Sequence, residues 1–343
     1  MNTSAALAAE GQIANRQIAT HKCGSAIAEE SLVKERLRVV CSLVRSGDRC
    51  DAISYSSFAI WYLSFVIGAG RAAMNTSTKA KATAFHQLHH SNEILVLPNC
   101  WDALSAVVLR EAGAKAIATT SAGLAWARGF PDGEKLPVDA LIRAVREITR
   151  VVDLPVTVDL ESGFSDELAT LDTIINAVID AGAVGINLED GTKTPELLAS
   201  KIHVVKEVAG RTDVPLFLNA RTDVILRSLV PESEAVKETT RRGTLYREAG
   251  GDGFFVPGLV QLDKIRAIVE SVALPLNVLA TRGVASIAEI EKTGAKRLSF
   301  GARLSEAVFG RLKQLASKLL HDRSLDDLFT ESLPFAEINR LLS

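Results

Sequence analysis

Two apolar runs in this chain end in carboxylates: Val156-Thr157-Val158-Asp159-Leu160-Glu161 and Ile186-Asn187-Leu188-Glu189-Asp190. If both are strands, Asp159 and Glu161 face the same way, two residues apart. Glu189 then ends the neighbouring strand, and three anions crowd one place. A divalent cation is the simplest relief of their repulsion. Oxygen ligands without His or Cys select Mg²⁺ or Mn²⁺. The plainer alternative is that these acids are loop residues or helix N-caps.

A third run, Leu216-Phe217-Leu218-Asn219-Ala220-Arg221-Thr222-Asp223, ends in a cation, with Asn219 and Asp223 on the face of Arg221. Its guanidinium would clamp a substrate carboxylate or stabilise oxyanion charge. Alternatively it forms a structural ion pair with Asp190 or Asp223. In Thr119-Thr120-Ser121-Ala122-Gly123, small residues let backbone N–H groups approach an anion, and Ser121 adds a hydroxyl. None of the six histidines ends such a run, and packing or surface roles are expected for them. Proton transfer would therefore fall to carboxylates, to a lysine such as Lys193, or to metal-bound water. A Ser-His-Asp hydrolase is not expected.

Charged groups at the ends of apolar strands need a scaffold that gathers strand ends. Candidate strands are 94–97, 116–120, 156–160, 185–188, 216–220, 253–256, 276–279 and 297–300, each bounded by turn residues. Amphipathic stretches lie between them, such as Leu141–Ile148 and Ile265–Glu270. Ala-Gly-Ala, Ala-Gly-Gly or Thr-Gly-Ala turns around Gly113, Gly182, Gly250 and Gly294 mark helix ends. The βα spacing predicts an α/β fold, a (β/α)8 TIM barrel whose packed interior excludes charge and whose active site lies at the C-terminal mouth. A doubly wound sheet is the rival, but its GxGxxG fingerprint is absent. Residues 302–343 read as two or three extra C-terminal helices.

A formal charge of −2, with no basic stripe, gives no footprint for nucleic acid. Cys23, Cys41, Cys50 and Cys100 lack metal or disulfide spacing, and a cytoplasmic location is expected. Residues 1–73 are expected to be a disordered or loosely helical extension, with 74–343 as the barrel domain. Within the extension, the uncharged stretch 52–70 has a strongly apolar centre of only about ten residues, short for a membrane span. A membrane anchor and a targeting or interaction segment are the alternatives there. Met74, the only internal methionine, precedes Asn75-Thr76-Ser77-Thr78-Lys79-Ala80-Lys81 and is expected to be the natural start.

Five segments together resemble the isocitrate lyase/phosphoenolpyruvate mutase superfamily. They are Thr120-Ser121-Ala122-Gly123, Gly129-Phe130-Pro131-Asp132-Gly133, Val158-Asp159-Leu160-Glu161-Ser162-Gly163-Phe164, Asn187-Leu188-Glu189-Asp190 and Asn219-Ala220-Arg221-Thr222-Asp223. The resemblance covers roughly residues 90 to 310. It implies Mg²⁺-dependent chemistry on a small α-keto or α-hydroxy acid through an enolate, with a C–C or P–C bond made or broken beside the carboxylate. Asp159, Glu161 and Glu189 would hold the metal, directly or through water. Ser121, Ala122, Gly123, Asn219, Arg221 and Asn277 would bind substrate. Asp132, Ser121, Arg221 and Lys193 would serve catalysis. The resemblance also implies a homo-oligomer, dimer or tetramer, through terminal helices carrying Leu312, Leu315, Leu319 and Leu320; packing of that stretch on its own barrel is the alternative.

The cysteine-bearing lid of the isocitrate and methylisocitrate lyases is missing, because no cysteine follows Cys100. The resemblance therefore implies the carboxyl-lyase or phosphonomutase-like branch: decarboxylation of oxaloacetate, cleavage of a substituted malate, or a phosphonopyruvate-type reaction. Two rivals remain. One is a phosphate-binding barrel, using Arg282-Gly283-Val284-Ala285-Ser286 and Phe300-Gly301-Ala302-Arg303. The other is a barrel that lost turnover with its lid.

Overall fold

The computed structural model describes residues 77–343. The expectations for 1–73, for Met74 and for Cys23, Cys41 and Cys50 lie outside the described residues. Helix α1 (77–89) precedes the strands. The chain then runs β1 (Leu95–Leu97), β2 (Asn99–Cys100), α2 (Ala103–Glu111), β3 (Ile117–Thr119), α3 (Ser121–Trp126) and α4 (Val138–Val151). It continues through β4 (Val156–Asp159), α5 (Leu168–Asp180), β5 (Gly185–Glu189), α6 (Pro195–Thr212), β6 (Phe217–Arg221) and α7 (Glu232–Glu248). The last units are β7 (Gly253–Phe255), α8 (Leu262–Val272), β8 (Leu276–Leu279), α9 (Ile287–Glu291), β9 (Arg297–Ser299) and α10 (Arg303–Ser317). A π-helical turn (Lys318–Asp322) and α11 (Phe335–Leu342) follow.

Every strand pairing is parallel, in the order β1-β9-β8-β7-β6-β5-β4-β3-β2. β1 and β2 are halves of one strand that changes partner at Pro98. β1 registers with β9 and β2 with β3, which closes the barrel. Proline has no N–H for a ladder, so the strand breaks there. Its carbonyl still accepts from Ala118 N at 2.9 Å. The sequence pattern ended this strand at Leu97 and missed β2, because Pro98 interrupts the apolar run. The other seven strands lie within a residue or two of expectation. Gly182 (φ 92°) and Gly250 (φ 103°) take the left-handed conformation that turns each helix back toward the next strand.

Burial drives the assembly. The outer faces of the strands pack on buried residues such as Leu141, Val145 and Ile148 of α4 and Ile175 and Val178 of α5. At the N-terminal end of the barrel, α1 lays Phe85 and His89 against Phe217. The His89 ring stacks on Phe217 at 3.9 Å, and its Nδ1 lies 2.8 Å from Phe85 O. Burial, with the nearby Arg297 cation second, pulls the His89 pKa down to about 3, so it is neutral.

The interior is not free of charge. Arg297 opens β9 with its side chain inside the barrel, 1% exposed, and its Nη2 donates to Asn187 Oδ1 at 3.2 Å. Asn187, Asn219 and Asn277 are buried in the same interior, but of the three only Asn187 hydrogen-bonds Arg297 among the described residues. Among the described residues no helix is long and apolar enough to cross a membrane. In α10 only Ser305 is buried, while Val308 and Leu312 stand exposed, as do Leu319 and Leu320 just beyond it.

Candidate active site

The residues singled out from the sequence fall into a tight group at the C-terminal ends of β3 to β6 and an outer group on the rim. Asp159 ends β4. Its N–H donates to Thr119 Oγ1 at 3.0 Å, which ties it to β3. Asn187 Nδ2 and Ser121 N approach its two carboxylate oxygens at 3.5 Å each. Ser121, Ala122 and Gly123 form the first turn of α3, whose leading N–H groups have no intrahelical acceptor. Gly123 is required sterically, since a Cβ there would lie 2.6 Å from Thr120 Cγ2 and 2.8 Å from Trp101 Cβ.

Glu161 arrives differently from expectation. The strand ends at Asp159, and Glu161 adopts a left-handed φ of 50°, so a turn and not strand alternation presents it. Such a conformation costs energy in a non-glycine residue and marks a locally enforced position. The enforcement comes from Glu134, which sequence reasoning missed. Its N–H donates to Glu161 Oε2 at 2.8 Å. Its Oε1 accepts from Ser162 N at 3.0 Å, Ser162 Oγ at 2.7 Å and Phe164 N at 2.9 Å. The available signal was an acid directly after the Pro131-Asp132-Gly133 turn.

Glu189 ends β5 beside Arg221 at the end of β6, with Oε2 2.6 Å from Nη1. The contact is close, but the N–H does not point at the oxygen, and buried Oε2 has no hydrogen-bond partner among the described residues. Arg221 instead directs Nε to Asp223 Oδ1 at 2.7 Å and Nη2 to Oδ2 at 3.2 Å. The structural pairing with Asp223 is thus present, and the one with Asp190 is not. Burial works against the Arg221 charge, but Glu189, Asp223 and Asp159 override it and hold the guanidinium firmly protonated.

Electrostatics separates this group from an ordinary ion-pair network. Burial, then Asp159 and Asp132, push Glu161 up to about 8. Burial also raises Glu189 to about 8; Arg221 opposes this, while Asp223, Asp159 and Glu161 reinforce it. Around Glu161 and Glu189 the neighbouring acids and burial thus outweigh the one close cation, Arg221. A hard divalent cation suits that deficit, and orphaned Glu189 Oε2 is a donor for it. Among the described residues, no three His, Cys, Asp or Glu side chains converge closely enough to ligate one ion together. The residues fit a cation held partly through water.

Asp132 is exposed on the loop between α3 and α4, near enough to raise Glu161, with no hydrogen bond or ion pair among the described residues. Lys193 is not gathered into the cluster. Its ammonium pairs with Asp166 at 2.5 Å, and the pair is about half exposed. Asn219 is buried and donates to Asn187 Oδ1 at 2.9 Å. Asn277 is fully buried, with neither amide atom hydrogen-bonded among the described residues. Behind the mouth, Asp190 accepts from Thr222 Oγ1, Asp223 N, Arg242 Nη1 and Tyr246 Oη at 2.6–2.9 Å.

A closed parallel barrel with acids, an arginine and an open helix turn at its C-terminal mouth defines the class of (β/α)8 enzymes. Residues 85–320 match the phosphoenolpyruvate phosphomutase family, and the chain belongs to it. It is 34% identical over 223 residues to an uncharacterised Mycobacterium tuberculosis protein, covering 64% of this chain and 82% of that one. The 2-methylisocitrate lyase of Bacillus subtilis is 25% identical over 270 residues, covering 72% and 87%. A Burkholderia cenocepacia structure provisionally described as a phosphonomutase is 35% identical, with a TM-score of 0.67, covering 70% and 99%. Lyases and mutases are thus the enzymes of this family.

Proposed function

We propose that this protein is a Mg²⁺-dependent lyase, also able to use Mn²⁺, that acts on a small α-keto or α-hydroxy acid through an enolate. The bond broken or made is the C–C bond beside the carboxylate, as in oxaloacetate decarboxylation or substituted-malate cleavage; a phosphonopyruvate-type P–C reaction is second. The observation that carries this reading is geometric: Asp159 and Glu189 end neighbouring strands, Glu161 turns in beside them, and buried Glu189 Oε2 has no hydrogen-bond partner among the described residues.

Asp159, Glu161 and Glu189 would hold the cation, partly through water. When bound, it would supply Lewis-acid stabilisation of negative charge on the substrate. Arg221, fixed by Glu189 and Asp223, presents its charge without reorganising. The N–H groups of Ser121, Ala122 and Gly123 and the Ser121 hydroxyl would orient the substrate carboxylate. Asn219 and Asn277 would contribute amide groups to substrate binding only if the site opens toward them, since both are buried. Asp132, with no hydrogen bond or ion pair among the described residues and close enough to raise Glu161, would move a proton at the reacting carbon. Lys193 could take that role only after leaving Asp166.

The test is to incubate the purified full chain with oxaloacetate, substituted malates and phosphonopyruvate, with Mg²⁺, Mn²⁺ or EDTA. Pyruvate or a related oxo-acid should form with metal and not with EDTA. No product from the panel would remove the lyase reading, and equal turnover in EDTA would remove the metal.

The same reading includes a homo-oligomer, dimer or tetramer, in the cytoplasm. Its support is the exposed apolar side of α10 together with a groove of about 730 Å³ outside β1, lined in part by Leu88, Val96, Leu109, Phe300 and Leu304. Light scattering should give a multiple of the chain mass, reduced to one chain by Leu312→Asp.

A further inference from the structure

Arg297 is not required by the mechanism above, yet it is the largest fully buried side chain among the described residues. Its only hydrogen bond there is the one to Asn187 Oδ1 at 3.2 Å. Nε and Nη1 have none, and both amide atoms of Asn277, its register partner on β8, are also unpaired. A buried cation so poorly satisfied is expensive, and an apolar residue would usually pack there more favourably. Stability alone does not account for it.

The surroundings give the charge a direction. Below lies His89, neutral because its pKa is about 3. Above lies Asp159, the charge that acts to keep Arg297 protonated; burial brings the guanidinium down to about 9, so it remains a cation at neutral pH. A hydrogen-bonded path joins the two. Arg297 donates to Asn187 Oδ1, and Asn187 Nδ2 approaches Asp159 Oδ1 at 3.5 Å. Asn219 also donates to Asn187 Oδ1, at 2.9 Å, and fixes that amide. An amide polarised at its oxygen is a stronger donor at its nitrogen.

The mouth needs such a charge. Glu189, Asp223 and Asp159 bear on Arg221, Glu161 lies near Asp159, and Arg227 pairs Asp223 from outside at 2.7 Å. With these four acids ionised, a divalent cation and the two arginines bring the set only to neutrality, and Asp132 and Glu134 near Glu161 add further negative charge, so an anionic acid finds no net attraction. We propose that Arg297 is a positioning residue beneath the mouth, whose charge, carried toward Asp159 through Asn187, weakens the hold on a divalent cation and makes the loaded site receptive to an anionic substrate. This rests on the metal-dependent reading given above. It implies opposite effects on two ligands, which a purely structural role would not produce.

The experiment is calorimetric titration of the full chain, as wild type, Arg297→Met and Arg297→Lys, first with Mn²⁺ and then with oxalate at saturating Mn²⁺. Arg297→Met should bind Mn²⁺ about tenfold more tightly and oxalate about tenfold more weakly, the scale of one unit charge in a partly buried site. Arg297→Lys keeps the charge and should stay within about threefold of wild type for both. Unchanged affinities, or shifts of the same sign, would overturn the proposal. If Arg297→Met does not fold, Arg297→Gln, which keeps an amide donor but no charge, must show the same opposed pair. Wild type that binds no Mn²⁺ overturns this proposal and the metal reading together. Wild type that binds normally, with insensitive neutral variants, overturns this proposal alone.

Discussion

Glu189 and Asp190 are adjacent acids at the end of one strand, and the structure treats them in opposite ways. Asp190 is buried and accepts four hydrogen bonds, two of them from Arg242 and Tyr246. Glu189 touches one arginine without a hydrogen bond, has an oxygen with no hydrogen-bond partner among the described residues, and is raised to about 8 chiefly by burial. A carboxylate held by four donors builds the frame. One left short of positive charge inside that frame is available to a ligand. Strand alternation supports this division, since successive side chains point to opposite faces: Glu189 into the mouth and Asp190 toward α7.

The largest effect should come from the satisfied member. Asp190→Ala strands the nine-tenths-buried Arg242 without its inner partner and leaves Tyr246 Oη and Thr222 Oγ1 unpaired. We expect a loss of about 3–5 kcal/mol by urea denaturation, with an unchanged m value. A loss below about 1 kcal/mol would break the comparison, because Asp190 would then be no more structural than its neighbour.

The floor of the barrel offers a pH-dependent contrast of about 2 kcal/mol. His89 is neutral in the fold and takes up a proton on unfolding, so its contribution to stability is full above pH 6.5 and is lost as pH falls toward 3. The stability difference between wild type and His89→Leu should shrink by about 2 kcal/mol between pH 7 and pH 5. Glu161 and Glu189 act in the other direction. Their raised pKa values favour the metal-free fold below about pH 4.5 and cost stability as pH rises to 8. Glu189→Gln should therefore stabilise the metal-free protein at pH 8 by about 1–2 kcal/mol, discounted for its coupling to Arg221. The same change should abolish the Mg²⁺-induced rise in Tm, and a retained rise would remove Glu189 from the metal set. In wild type that rise should grow from pH 6 to pH 8, as protons stop competing with the cation.

Much of this arrangement was legible in the sequence, for a definable reason. Parallel strands buried on both faces must be nearly all apolar, so Asp159, Glu189 and Arg221 stood out where the apolar runs stopped. What escaped were residues whose placement depends on a single backbone torsion or on packing across the barrel. Glu161 follows the end of β4, and its left-handed φ removes it from the period-two rule used to place it. Glu134, which enforces that turn, is 27 residues away, and only the fold brings the two together. Arg297 opens a strand where a charge reads as solvated loop. Its one side-chain hydrogen bond among the described residues goes to Asn187 of β5, 110 residues away, and no local pattern announces such a contact.

The smallest effect tests the outer limit of the site. Lys193 has the right chemistry for proton transfer, and its loop follows Glu189 directly. Yet its ammonium is engaged by Asp166 in a half-exposed pair, whereas buried Lys201 holds the same carboxylate at 2.7 Å and also donates to Ser162 O at 2.7 Å. Of the two lysines, Lys201 fixes the loop after β4 and Lys193 adds to it from solvent. Lys193→Ala should change stability by no more than about 0.5 kcal/mol, the usual scale of an exposed pair. It should also leave the Mg²⁺-induced rise in Tm intact and turnover within about threefold of wild type. Asp132→Asn should by contrast lower turnover a hundredfold or more if Asp132 moves the proton. A large loss in the lysine variant at unchanged Tm would show that Lys193 leaves Asp166 during the reaction, and the boundary between site and frame would move outward by one loop.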